Sequence, residues 1–402
     1  MAGQSWWDLE EEMEPGQPSS LERLVEDEHR SGRVPAVLAV ALALVTIGGM
    51  IVLRPSAPPD VDLGFLTVPS TLFDAQVEEV RSGSCEGAAS VDCTQVGFRL
   101  VEGPDRGELV LEEFPESGST PVFQQGEVVV LAYQPAAASD FQYYFVDRQR
   151  RPTLAWLALV FALAVVALGR LRGLAALVGL VASIVVLLGF VLPAILSGRP
   201  PLLVAILGAA AIAYLALYLA HGFTQKTTVA LLGTLASLAL TAVLSALVVD
   251  LARISGFATE EALFLTLAPG QLDIGGLVLG GIVLGALGAI DDVTVTQASA
   301  VWELRAAAPA MRSRDLFRAG LRIGRDHIAS TVNTLVLAYA GASMPLLVLF
   351  VLTGQSLGTI ANSELVATEI LRTLVGSIGL VAAVPVTTWL AARFAPRSAA
   401  GT

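Results

Sequence analysis

Eight stretches of the chain read as apolar runs separated by polar or basic breaks. The first, Val34–Leu53, has no charged residue over twenty positions, enough to cross a bilayer core of about 30 Å. The others lie at 153–169, 174–196, 201–220, 228–249, 272–290, 330–353 and 370–392. Runs of this length predict membrane-crossing helices. Residues 54–152 have a different pattern. Short Val-, Phe- and Leu-rich stretches at Val77–Val80, Gly97–Val101, Glu108–Glu112 and Glu127–Tyr133 alternate with turns such as Glu102-Gly103-Pro104-Asp105 and Ser117-Gly118-Ser119. That spacing predicts a small antiparallel barrel or sandwich. The expected fold class is a polytopic α-helical membrane protein of about eight spans with a small all-β extracytoplasmic domain.

The first run follows a polar segment, 1–33, and is longer than the apolar part of a signal peptide. It reads as a signal anchor, with cleavage near Ala57 as the alternative. Residues 1–33 are expected to form a disordered acidic tail. The seven later runs make a helical body over 153–392, with a cytoplasmic tail at 393–402.

Composition supports a membrane body. Hydrophobic residues make up 54% and charged residues 15%, against about 25% charged in soluble domains. The net charge of −12 seems at odds with this until it is located. Residues 1–33 carry −6, residues 54–152 carry −9, and the remainder carries +3. A basic stripe for nucleic acid is missing from that pattern. Lysine occurs once, at Lys226, against twenty-three arginines, a bias of the kind a GC-rich bacterial genome imposes. With a cytoplasmic N-terminus, inside loops carry Arg170, Arg172, Lys226, six arginines from Arg305 to Arg325, Arg393 and Arg397. Outside loops carry Arg199 and Arg253, which fits the positive-inside rule. Arg148, Arg150 and Arg151 depart from it, but a long translocated domain escapes the rule. Both termini are then cytoplasmic and 54–152 lies outside.

Cys85 and Cys93 are the only cysteines. Both fall in the external domain, where disulfides persist. A loop-closing bridge is expected, two free thiols being the alternative. A metal pair lacks neighbouring histidine.

Polar residues inside spans are costly, so each needs an account. The span 272–290 holds six glycines. Gly276 and Gly280, and Gly281 and Gly285, are spaced for close helix packing; a thinned segment beside a permeation path is the alternative. Asp291-Asp292-Val293-Thr294-Val295-Thr296 follows at the expected cytoplasmic boundary. One acid there could cap a following helix. Alternatively the carboxylates and hydroxyls could serve a hard cation or a proton. On a helix through 323–341, Asp326, Ser330 and Asn333 share a face, with His327, Thr331 and Thr334 beside it. That wedge reads either as interhelical hydrogen bonding or, with Asp291 and Asp292, as part of a solute or ion pathway. Residues 304–325 read as an amphipathic helix on the cytoplasmic membrane surface. The chain contains no nucleophile elbow, zinc-binding helix motif or phosphate-binding glycine loop. No enzyme activity, cofactor or metal is expected.

The runs GAIDDVTVTQAS, IGRDHIASTVNTLVLAYAG and HGFTQKTTVALLGT resemble the hallmark segments of the YibE/F family of bacterial multi-spanning membrane proteins. The resemblance extends from about residue 60 to the C-terminus and leaves out the acidic tail. It implies a bacterial plasma-membrane protein with an extracytoplasmic β domain and a seven-span body. It brings no activity and no catalytic residue. The expectation from the polar positions is a transporter or permease of a small solute or ion, its partners being the bilayer and that solute. The alternative is a non-transporting assembly, envelope or signalling partner acting through the β domain.

Overall fold

The computed structural model describes residues 20–55, 71–85, 88–117, 120–138, 142–266 and 272–396, with the side chains of 20–32 and 88–91 left out. Most of the acidic tail, Ala57, the tip of the Ser117–Ser119 turn and the last residues of the C-terminal tail lie outside the described residues. The chain divides into two compact units, Val61–Leu168, and Met1–Asp60 with Gly169–Thr402.

The first unit is built on one antiparallel sheet in the order β3-β2-β1-β4-β5. Its strands are β1 Thr71–Cys85, β2 Ala88–Leu100, β3 Leu109–Pro115, β4 Val128–Tyr133 and β5 Tyr143–Arg148. The long β1 pairs with β4 through its first half and with β2 through its second. Inward positions alternate with outward ones, so Ala75, Val77, Val96, Phe98, Val129 and Leu131 are buried together. Phe98, Phe114, Phe123 and Phe145 pack edge-on or stacked around that core. The sheet curls until β3 approaches β5, where the Glu112 carboxylate accepts the backbone N–H of Phe145 at 2.9 Å. Cys85 and Cys93 form a disulfide beside the β1–β2 turn, with Cα atoms 5.0 Å apart.

The second unit is helical, and one of its helical runs starts within the first unit, at Arg151. α1 (Ser20–Val52) begins inside the acidic segment that reads as a tail. The helical run α2 (Arg151–Val186) is interrupted at Arg170, whose φ of 51° is a left-handed conformation that few arginines adopt. It continues through a π-helical turn, Leu187–Val191, into α3 (Leu192–Leu196). Then come α4 (Pro201–His221), α5 (Gln225–Leu251), α6 (Glu260–Thr266), α7 (Ile274–Ala307), α8 (Ser313–Ala342), α9 (Met344–Leu352), α10 (Leu357–Asn362) and α11 (Glu364–Phe394). Among the described residues six helices are long and apolar enough to cross a membrane, or seven when α8 and α9, bent by 63°, count as one. The inner faces of α4, α5, α7 and α11 form one core around Leu217, Leu231, Val283, Ile290 and Leu380. Large apolar side chains also point outward, among them Val45, Val243, Leu247 and Trp389. Water does not favour such faces, and lipid does.

Two boundaries differ from the sequence reading. The run 272–290 does not end at Asp291, because α7 continues to Ala307. Val293, Thr294, Gln297, Ala298 and Val301 carry its buried face onward. Asp291 and Asp292 therefore cap nothing, and the N-cap of α7 is Asp273, which accepts the N–H of Gly276 at 2.8 Å. Residues 304–325 likewise do not form a separate surface helix. They comprise the end of α7, a turn, and the first half of α8. Arg305, buried under that turn, donates to the carbonyls of Met311 at 2.5 Å and Pro309 at 3.3 Å.

Candidate functional site

α5 turns a column of small hydroxyl residues into the bundle. Thr234, Ser237, Thr241 and Ser245 are all essentially fully buried. Most buried hydroxyls find an acceptor, although the Ser237 hydroxyl has none among the described residues. Within a helix the nearest is the carbonyl one turn back. Thr241 donates to Ser237 O at 2.9 Å and Ser245 to Thr241 O at 2.7 Å. Being small, these residues let neighbours approach. A Cβ on Gly379 of α11 would lie 3.3 Å from Thr241 Cβ, and one on Gly233 of α5 would lie 3.1 Å from Thr387 Cβ of α11.

Asp291 meets this column. It lies seventeen residues along α7 from Ile274, about 26 Å from that end of a helix about 51 Å long. Its Oδ1 accepts the Thr234 hydroxyl at 3.4 Å. Thr234 also shares a hydrogen bond with Thr294, hydroxyl to hydroxyl, at 2.7 Å, and Thr294 Oγ1 donates to the carbonyl of Asp291 at 2.9 Å. The cluster thus has two hydroxyl protons facing a carboxylate and two carbonyls, since Thr234 also reaches Ala230 O at 3.2 Å. Such an oxygen-rich set suits a proton or a hard cation. Among the described residues no group of three or more His, Cys, Asp or Glu side chains comes together.

One turn further along, Gln297 clasps three helices. It is 3% exposed, and its Nε2 donates to Gly320 O of α8 at 2.8 Å and to Thr388 Oγ1 of α11 at 2.7 Å. Gly320 and Gly324 give it room, since a Cβ on Gly324 would stand 2.9 Å from Gln297 Oε1.

The other expected residues lie elsewhere. Asp292 and Thr296 are on the exposed side of α7, joined by the Thr296 hydroxyl donating to Asp292 O at 2.6 Å. Asp326, Ser330 and Asn333 occupy an exposed face of α8. No hydrogen bond among the described residues links them to Asp291 or Asp292. His327 is half-buried, and its Nε2 is enclosed without a partner among the described residues. The glycines also divide. Gly276 and Gly280 lie against Pro201 and Ala205 of α4, a Cβ on Gly280 falling 3.1 Å from Ala205 Cβ. Gly281 and Gly285 instead open toward polar side chains, Arg372 and Tyr339.

Sequence reasoning missed Thr234, whose partners Asp291 and Thr294 are 57 and 60 residues away, and it did not foresee the pairing of Gln297 with Thr388, 91 residues apart. It also missed Arg372, which pairs with Glu369 at 2.8 Å on α11. Two opposite charges three residues apart at the start of an apolar run were the available signal. The run HGFTQKTT has a plain local role. Gly222, at φ 75°, ends α4, and the Thr224 hydroxyl caps α5 by accepting the N–H of Thr227 at 3.1 Å.

No curated protein and no solved structure matches the chain. A family model, that of the YibE/F-like proteins, matches residues 157–397, and with more than half of its length inside that match the chain belongs to the YibE/F-like family.

Proposed function

We propose that the protein is an integral protein of a bacterial plasma membrane that carries a small solute or ion past Asp291 without transforming it. The observation that carries this reading is a carboxylate held midway along a long apolar helix, against the hydroxyls of Thr234 and Thr294. An acid within a membrane helix is costly unless it is paired or reaches water, and such acids mark solute and ion pathways. The apolar run Arg151–Leu196 supports a count of eight crossings. Its 46 residues would extend about 69 Å as one helix, twice the core of a bilayer. The interruption at Arg170 divides it into two crossings. With the bent pair α8–α9 as one more, both termini are cytoplasmic and the sheet unit is extracytoplasmic, in accord with the basic residues of the loops.

The cluster works by exchange of charge. An ionised Asp291 accepts the hydrogen bond of the Thr234 hydroxyl. Neutralised by a proton or cation, it releases that hydroxyl to Thr294. The test is flux into liposomes reconstituted with the full chain, across a panel of cations, anions and small metabolites. A flux that disappears in Asp291→Asn, with the variant folded as wild type, is the expected result. No flux for any member of the panel would favour the alternative, an assembly or signalling partner acting through the sheet unit.

A further inference from the structure

α1 and α4 lie close near the C-terminal end of α1, where a Cβ on Gly49 would stand 2.7 Å from Leu207 Cδ1. Towards the other end they part. One hydrogen bond holds them there, from the Tyr214 hydroxyl to Ala39 O at 2.6 Å. The gap is a groove of about 480 Å³, a volume typical of small-molecule sites. One wall is the small-residue face of α1, Ala36, Ala39, Val40 and Ala43. The other is Tyr214 and Tyr218 of α4, with Phe223 beyond. Phe223 is stacked on Tyr218, centroids 4.5 Å apart, yet is 88% exposed. Val40, Leu44 and Val45 point outward beside the groove, so it opens along the flank of a helix fit to face lipid.

Among the described residues, the charges nearest in sequence to its lining are basic. Lys226 follows Gln225, which lines the groove, and Arg33 precedes Pro35, which lines it too. No Asp or Glu occurs from Arg33 to Arg54 or from Gly169 to Val249. The nearest acid of α1, Glu28, precedes Pro35 by seven residues, about 10 Å along a helix.

We propose that this groove holds an acyl chain of an anionic phospholipid, whose headgroup sits between Arg33 and Lys226. Apolar walls accept the chain, and the basic rim selects the headgroup. The site is separate from Asp291 and does not depend on the transport reading.

The full-length protein in detergent, titrated with phosphatidylglycerol and with phosphatidylcholine and read by native mass spectrometry, tests it. Wild type is expected to retain phosphatidylglycerol in preference. Lys226→Gln should cut that preference about fivefold, the worth of one basic residue at an anionic surface. Ala36→Phe, at an exposed position of α1, should lower retention of both lipids with melting unchanged, and Ala36→Leu serves if the larger residue disturbs folding. Equal retention of the two lipids by wild type would overturn the proposal. So would unchanged phosphatidylglycerol binding in both variants, or its displacement by inorganic phosphate alone.

Discussion

Gly379→Ala tests the packing that holds Asp291 in place. The added methyl would sit 3.3 Å from Thr241 Cβ, 3.4 Å from Ile290 Cδ1, and inside the contact radius of the Thr241 hydroxyl. That hydroxyl donates to Ser237 O, and a threonine side chain has few other rotamers in a helix. The methyl must therefore push α5 and α11 apart. Overpacking of this kind costs about 1–3 kcal/mol, while glycine-to-alanine in a helix gains about 1 kcal/mol. The net expectation is a loss of up to about 2 kcal/mol. In a Thr241→Ala background the hydroxyl is gone and only the tolerable contacts with the residue-241 Cβ and Ile290 Cδ1 are left, so most of the propensity gain is recovered. Gly379→Ala should then stabilise by up to about 1 kcal/mol, a coupling of about 1–3 kcal/mol between the two sites. Reversible unfolding of the four proteins in mixed micelles, followed by circular dichroism, measures the cycle. Equal stability of Gly379→Ala and wild type, with no coupling to Thr241, would refute the close approach of α5 and α11.

Other outcomes follow from single contacts. Gln297→Leu removes two hydrogen bonds across α7, α8 and α11, so micellar unfolding should register a loss of about 1–3 kcal/mol. Reduction of Cys85–Cys93 frees a short loop and should lower the stability of the sheet unit by about 2–3 kcal/mol; thermal melts with and without reductant show it, and alkylation of the untreated protein should find no free thiol. Burial holds the Glu112 carboxyl above its ordinary range, against the opposing pull of the Phe145 N–H. A raised carboxyl pKa contributes stability at acid pH that is lost as pH rises from the unfolded value through the folded one. Glu112→Gln should therefore match wild type in acid and melt progressively higher than it as pH rises through that window.

Much of the architecture was legible because it depends on local pattern. The stretches Gly97–Val101 and Glu127–Tyr133 are rich in Val, Phe and Leu, residues that favour strands, and they nearly coincide with the end of β2 and with β4. Tyr143–Arg148 escaped notice because six residues ending in charge give little periodicity. The extent of α7 was missed because two adjacent acids looked like a stop. Its inward positions Val293, Gln297 and Val301 continue the helical spacing through them, and that continuity outweighs the acids. The site was less legible, for a different reason. Asp291 and Thr294 are near in sequence and could be picked out together. Thr234 and Gly379, which determine what surrounds them, are brought there by the packing of separate helices. One sequence does not contain that pairing. The wedge of Asp326, Ser330 and Asn333 shares a face as its spacing requires, but spacing does not say whether a face turns inward, and this one is exposed.

The central claim is that the half-buried carboxylate of α7 that meets Thr234 of α5, and not the exposed acid of α8, carries the solute. Flux through proteoliposomes of Asp291→Asn and Asp326→Asn, measured beside wild type at matched amounts of folded protein, decides it. The account predicts that Asp291→Asn loses flux and Asp326→Asn keeps most of it. Undiminished flux in Asp291→Asn would contradict the account.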